Sequence, residues 1–353
     1  MEYSREERAI IALSNAAGEY IGQFSRALSS KFGCCDGQKI CLSVIERAAK
    51  RVYKDRALPS EAEADKIISR LERANCFAVT FASEDYPLSL RAIPDPPPVL
   101  YAKGNRELLK KRKFCIVGSR MMPAWAKATG TKIAEELCER FVIVTGLAEG
   151  GDRAAIDGAI DSGNLICVLP NGLDVVYPAV HTALQKEVAK RGLLLSEYPL
   201  GVKATKYAFP ARNRILAALS EGTLVLAAGK RSGTLLTARY ALEYGKELFA
   251  LPHNAGAAQG VGCNEMIKAG AWLCTCAQDV FSAYGMEAAK KPTVALTEQE
   301  KAVLSVLREA GELHVAVLSQ KTGLTIFEVQ AQLASLEMKG LAVRSGGNVF
   351  TAL

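Results

Sequence analysis

Two short segments carry the residue types with the most binding chemistry per position. Phe209-Pro-Ala-Arg-Asn-Arg-Ile-Leu-Ala217 and Gly229-Lys-Arg-Ser-Gly-Thr-Leu-Leu-Thr237 each set cationic side chains and main-chain donors at the start of an expected helix. Unpaired N–H groups and the helix dipole favour anions there. From Pro199 to Tyr240 the chain has Lys203, Lys206, Arg212, Arg214, Lys230, Arg231 and Arg239 against one acid, Glu221, while the net charge of all 353 residues is only +7. Positive charge concentrated in this way suggests a polyphosphate partner, above all a nucleic acid strand.

Within the first segment, Pro210 suits the first helical turn, where its missing donor costs nothing. Arg212 and Arg214 stand two apart on the incipient helix, so they splay and do not grip one phosphate in parallel. Asn213 both donates and accepts, which suits a base edge or sugar. Phe209 offers a ring for base stacking, worth about 1–3 kcal/mol. The plainer alternative is a buried phenylalanine with both arginines paired to acids elsewhere; the scarcity of acids in the stretch argues against it. In the second segment, Lys230, the hydroxyls of Ser232 and Thr234, and the amides through Gly233 form an anion cradle, or else a loop that merely caps a helix.

Two earlier loops add to these. Gly118-Ser119-Arg120 combines close backbone approach with a guanidinium that can hold a phosphate by two parallel bonds; a turn with a solvated arginine is the alternative. Thr145-Gly-Leu-Ala-Glu-Gly-Gly-Asp152 supplies Gly146 and exposed amides for phosphate or sugar contacts, with Asp152 alternatively only a helix-start acid. The dinucleotide fingerprint fails because Met121, Met122 and Pro123 follow Arg120, and no P-loop or serine nucleophile elbow occurs. The strand-end loops hold few carboxylates beyond Glu149 and Asp152, and His253 has no evident partner. No catalytic residues are expected. The ten cysteines form no Cys-x-x-Cys pair, and His181, His253 and His314 have no Cys or His nearby. That predicts reduced thiols, no metal and no cofactor. No apolar run approaches the roughly 20 residues that cross a bilayer, and the first residues lack a signal peptide's apolar core, so a cytoplasmic protein without membrane insertion is expected.

The elements that must position these loops follow from periodicity. Residues 1 to about 75 read as short helices, at Ala9 to Leu13 and Ile21 to Leu28, punctuated by Gly18, Gly22 and Gly33. Ser60-Glu-Ala-Glu63 is a capping box opening another. Asp95-Pro-Pro-Pro98 interrupts regular structure, and the first boundary belongs near it. From Lys113, apolar runs alternate with helical segments: Phe114–Val117, Phe141–Val144, Leu165–Leu169, Leu193–Leu195, Leu224–Ala227, Leu248–Leu251 and Trp272–Cys274. Runs of this kind indicate an α/β fold whose parallel sheet is covered on both faces, with the strand-end loops, Pro252–Gly256 included, gathered on one edge. Beyond Lys290-Lys-Pro292, capping boxes at Thr297 and Thr325 and a ribbon turning at Gly346-Gly347 spell a winged helix-turn-helix. From Thr297 to Leu353 five Lys or Arg face six Glu. Reading duplex DNA calls for a basic face, so a protein contact or weak accessory DNA role is expected of this tail.

Taken in order, these loops resemble DNA-processing protein A (DprA, also called Smf). Further shared stretches are Tyr86-Pro87, Asp95-Pro-Pro97, Leu100-Tyr101, Gly172-Leu-Asp174 with Tyr177-Pro178, Ser196-Glu197, Ser232-Gly-Thr-Leu-Leu-Thr-Ala-Arg239 and Gly262-Cys-Asn264. The resemblance implies an extended Rossmann-like domain that binds single-stranded DNA and forms a homodimer. It also implies a helical N-terminal module similar to sterile-alpha-motif domains and a C-terminal winged helix. The expected divisions are residues 1–80, 81–288 and 293–353. The implied role is non-catalytic mediation of recombination in natural transformation, placing the recombinase RecA on strands coated with single-strand-binding protein. Phosphates would meet Arg120, Arg212, Arg214, Lys230 and the Ser232–Thr234 amides; bases or sugars would meet Phe209 and Asn213. The alternative is a Rossmann-like nucleotide phosphoribohydrolase, but Leu235, Leu236 and Thr237 follow Gly233-Thr234 where a catalytic glutamate would stand. Gly151, Ile156, Ala227 and His253 depart from the family pattern, and they are expected to ring the pocket.

Overall fold

The computed structural model describes residues 2–17, 21–29, 41–53, 59–286 and 296–353. Gly18, Gly33 and Lys290-Lys-Pro292 lie outside them. Four helices lead: α1 (Arg5–Ala17), α2 (Ile21–Ser29), α3 (Leu42–Tyr53) and α4 (Glu61–Arg73), the last opened by the Ser60–Glu63 capping box. Next come β1 (Phe77–Thr80), α5 (Leu88–Arg91), β2 (Val99–Gly104), β3 (Lys113–Val117), α6 (Ala124–Leu137), β4 (Val142–Thr145), α7 (Gly151–Ala159) and β5 (Leu165–Leu169). α8 (Thr182–Arg191), β6 (Leu193–Ser196), α9 (Ala208–Leu219), β7 (Gly222–Val225), α10 (Thr234–Glu243), β8 (Glu247–Ala250), α11 (Val261–Lys268), β9 (Trp272–Leu273) and α12 (Ala277–Ala283) complete the main body.

Phe114-Cys-Ile-Val117 and Leu165-Ile-Cys-Val-Leu169 are buried throughout. With no polar face to show water, such strands are stable only between helix layers. The sheet order is β1-β2-β6-β5-β4-β3-β7-β8-β9. From β6 to β9 neighbouring strands run parallel. The chain winds outward from β3 through β4, β5 and β6, then returns to start again on the other side of β3 with β7. The β3–β7 seam is therefore the switch point, where a doubly wound sheet opens a crevice beyond its strand ends.

The strands expected from Lys113 onward do form a parallel sheet, and two further strands extend it: β1 pairs antiparallel with β2, and β2 antiparallel with β6. The boundary near Asp95, or after residue 80, does not fall between separate cores. β1 is an outer strand of the sheet, and one continuous core runs from Ile10 and Phe24 of the helices to Phe281. The prolines interrupt regular structure as expected, yet they are anchor points: Ser25 Oγ donates to the Pro96 carbonyl at 2.6 Å and Tyr86 Oη to that of Pro97 at 2.8 Å.

Asp95 has a matching role. Arg214 of α9 is buried, with its guanidinium 2.5 Å from Glu197 and 3.2 Å from Asp95. This one side chain ties α9 to the loop after β6 and to the proline segment, so it fixes where the first turn of α9 lies.

The tail contains α13 (Glu298–Ala310), β10 (Glu312–His314), α14 (Val315–Thr322), α15 (Ile326–Met338), β11 (Ala342–Gly346) and β12 (Val349–Ala352). Capping boxes at Thr297 and Thr325 open α13 and α15, and the β11–β12 ribbon is the wing. Its core, built on Val303, Leu318, Val329, Leu333 and Phe350, is separate from the main one, while β11 lies against α6.

Arg214→Ala strands two carboxylates, one of them with only 9% of its side chain exposed, and should cost about 3–5 kcal/mol, read as a lower urea midpoint. Leu333→Ala should cost about 2–5 kcal/mol. Because its core is separate, hydrogen exchange should quicken across 298–352 and stay unchanged in β3, β4 and β5.

Candidate nucleic-acid interface

At the switch point, the loops after β3 and β7, the start of α7 and the start of α9 enclose a cleft of about 350 Å³. The sheet ends at Val117, so Gly118, Ser119 and Arg120 turn over the strand ends. Ser119 N donates to the Ala227 carbonyl at 2.8 Å, and the hydroxyls of Ser119 and Ser232 are 3.1 Å apart. These bonds stitch the two loops across the seam. Gly150 takes φ +78° directly before α7, and a Cβ there would collide with the Ser119 carbonyl. Glycine is needed for α7 to come this close.

Gly118, Ser119, Arg120, Phe209, Arg212, Asn213, Ser232, Gly233 and Thr234, expected from sequence, line this cleft together. Arg120 is exposed at the rim with its guanidinium carbon 5.8 Å from the Phe209 ring centroid. Phe209, half-buried in the first turn of α9, also meets the Tyr177 ring edge-on at 5.7 Å. Ser232 Oγ lies 3.1 Å from Thr234 Oγ1 and accepts from Thr234 N at 3.3 Å, and Ser232 N donates to the Gly229 carbonyl at 3.1 Å, so two of the three amides of the α10 cradle have internal partners.

Arg212 forms the floor. It is 7 % exposed, and its Nη1 donates to the Val168 carbonyl of β5 at 2.6 Å while Nε donates to Asn213 Oδ1 at 3.1 Å. Asp152 is buried beside it, accepting from Ala148 N at 3.3 Å. Burial pushes the Asp152 carboxyl up from its ordinary range, and the Arg212 charge pulls against that rise. A Cβ on Gly146 would strike both side chains, so Gly146 serves as the gap in which they meet.

Arg214 requires correction as a phosphate ligand: it points away from the cleft into its pair with Glu197 and Asp95. The acids come from outside the 199–240 stretch, so a local charge count could not reveal them. Lys230 is exposed on the loop but does not line the cleft, and Gly146 supports the floor from beneath. The departures at Gly151, Ile156, Ala227 and His253 do not line it either. Ile156 and Ala227 are core residues, and His253 has partners: its Nε2 is 2.9 Å from the Leu226 carbonyl and its ring 4.9 Å from Trp125.

Sequence reasoning missed a second cavity of about 110 Å³, sharing Arg120, Phe209 and Arg212 with the cleft and adding Glu149, Tyr177 and His181. His181 and Glu149 are 32 residues apart in the chain. The one available signal was Glu149 as an acid in a glycine loop. Lys206, counted only as charge, is exposed with its Nζ 5.0 Å from the exposed Tyr207 ring.

Comparison with known proteins agrees with this arrangement. The family described as DNA recombination-mediator protein A matches residues 77–285, and the DprA winged helix domain matches residues 287–348. Protein Smf of Escherichia coli is 36% identical over 293 residues, covering 79% of this chain and 78% of its own. DNA processing protein DprA of Bacillus subtilis is 36% identical over 246 residues, 67% of this chain and 83% of its own. Among solved structures, DNA processing protein A from Streptococcus pneumoniae superposes with a TM-score of 0.67 at 32% identity, over 80% of this chain and 98% of that one. DNA processing protein A from Helicobacter pylori, in a structure concerned with that protein's single-stranded DNA binding mode, gives 0.54 at 32% identity, over 59% and 95%. Family models matching residues 77–285 and 287–348, carried here on a doubly wound sheet with a cleft at its seam and on a winged helix, make this chain a member of the DprA/Smf family.

Proposed function

We propose that this chain is a non-catalytic, cytoplasmic, homodimeric binder of single-stranded DNA. In this reading it helps place RecA on incoming strands coated with single-strand-binding protein during natural transformation. The observation that carries the reading is the rim of the cleft: exposed Arg120 beside the Phe209 ring, opposite Ser232, Gly233 and Thr234 at the start of α10. A guanidinium, a stacking face and helix-start amides within one crevice match a sugar–phosphate chain with unstacked bases. Phosphates would meet Arg120 and the α10 cradle, with Lys230 and Lys206 outside it; Phe209 would stack on a base. The single-strand binding described for the Helicobacter pylori relative supports the same partner.

The hydrolase alternative finds less support. Asp152, the carboxylate of the cleft, is buried against Arg212, and Glu149 of the adjoining cavity is engaged by His181, whereas a glycosidic bond needs a carboxyl group free to serve as acid or nucleophile. For the winged helix we propose a protein contact, because the N-terminus of α15 exposes Ile326 and Phe327 rather than a basic face.

Binding of a labelled oligothymidylate, followed by fluorescence anisotropy, should weaken with salt on a log–log slope of about −0.7 per phosphate neutralised. Arg120→Ala should remove about one such increment from the slope. Phe209→Ala should cost about 1–3 kcal/mol and leave the slope as it was. Salt-independent affinity, tighter binding of duplex, or free base released from nucleoside monophosphates would each overturn the reading.

A further inference from the structure

Positive charge continues beyond the cleft, onto the N-terminal helices. On α4, Lys66, Arg70 and Arg73 stand at i, i+4 and i+7, so they share one face, and all three are exposed. The helix sorts its charges: Glu61 and Asp65 turn the other way, to Arg5 and Arg8 of α1. Against the cationic stripe lies the loop that leads into α9. A Cβ on Gly201 of that loop would come within 2.9 Å of Arg70 Nη2. Asp174 fixes the approach, accepting from Gly201 N at 2.6 Å and lying 3.6 Å from Arg70 Nη2. Gly172 N donates to the Val202 carbonyl at 2.8 Å, so the loop is also held to the segment after β5. From this anchor the chain carries Lys203, Lys206 and Tyr207, all exposed, before Phe209 enters the cleft. The Tyr207 ring is 74% exposed, with Lys206 Nζ beside it. Among the described residues, Lys66, Arg73, Lys203 and Lys206 belong to no ion pair.

We propose that the bound strand leaves the cleft over Tyr207 and runs along the α4 stripe, which makes the N-terminal helices part of the DNA-binding surface. The inference rests on the proposed binding of single-stranded DNA. An unpaired strand asks for cations along its backbone and for flat faces on which its bases can lie. Tyr207 caps the start of α9, two residues before Phe209, and supplies a second face. Lys203 and Lys206 flank it. Lys66, Arg70 and Arg73 then carry the charge along a rigid helix edge, where neighbours at i and i+4 are about 5–6 Å apart at Cβ, comparable with one nucleotide of an extended strand. The acid on this path, Asp174, is already engaged by Gly201 N and Arg70. Continuity with Phe209 on one helix favours a nucleic acid strand over an acidic peptide, which has no bases to stack.

The test compares tetrathymidylate, which the cleft alone can engage, with icosathymidylate. Both are measured on the full chain as wild type, as Tyr207→Ala and as the double variant Lys66→Ala/Arg73→Ala, the short one by competition against a labelled long one. Icosathymidylate affinity should fall about fivefold in Tyr207→Ala, the low end for a lost stacking face. In the double variant its log–log salt slope should shrink by about 1.4, the share of two phosphates. Tetrathymidylate should bind all three proteins alike, with the thermal unfolding midpoint checking that these exposed substitutions leave the fold intact. Icosathymidylate bound equally by all three proteins overturns the path, leaves the cleft standing and releases the stripe to an acidic protein partner. A loss confined to Tyr207→Ala overturns the role of α4. Equal losses for both lengths overturn the extension by placing these residues at the cleft itself, and a wild type that binds neither length removes the single-strand reading as well.

Discussion

The cleft depends on two guanidinium groups buried two residues apart on one helix. A buried charge must be paired and hydrogen-bonded or the fold does not tolerate it. Arg214 meets that demand through Glu197 and Asp95. Arg212 meets it through the Val168 carbonyl and the neighbouring Asp152. The two side chains leave α9 in different directions, as residues two apart on a helix must, so they pin it to four other segments. With α9 pinned, its first turn cannot move, and Phe209 is held at the seam where β3 and β7 part.

The same demand explains which parts of the structure were legible in the sequence. The strands from β3 onward were, because a run such as Leu165-Ile-Cys-Val-Leu169 has no stable place except between helix layers. The capping boxes at Ser60, Thr297 and Thr325 were legible because their bonds close within three residues. β1 and β2 were not. They are short, they flank a proline run, and their pairing with each other and with β6 is set at long range. The grouping of the Gly118–Arg120, Phe209–Asn213 and Ser232–Thr234 loops followed from the rule that strand-end loops of a parallel sheet share one edge. Arg214 was misread for a definite reason: its acids come from other segments of the chain, and charge counted along a window does not see across a fold. His181 and Glu149 were lost in the same way, since neither has a partner nearby in sequence.

Separate cores give the molecule two mechanically distinct parts. The nine-stranded sheet and the N-terminal helices share one apolar interior, so α1 to α4 move with the cleft. The winged helix has its own interior, and its wing rests on α6, the helix that follows Arg120.

Charge in the cleft is divided by depth. On the floor, Asp152 and Arg212 lie together, and burial works against both ionised forms: it pushes the carboxyl up and the guanidinium down. Their opposite charges leave the floor close to neutral, so it gives shape more than attraction. Attraction comes from exposed cations, Arg120 at the rim and Lys206, Lys230 and Arg231 on the loops before α9 and after β7. Rim charges act through water and its ions; they draw in any polyanion and weaken with salt. Selection among bases has to come from a drier place, where an unmatched donor or acceptor has no water to turn to. The small cavity beside the rim has aromatic walls, but its carboxylate, Glu149, stays more than half exposed, so water remains a competitor there.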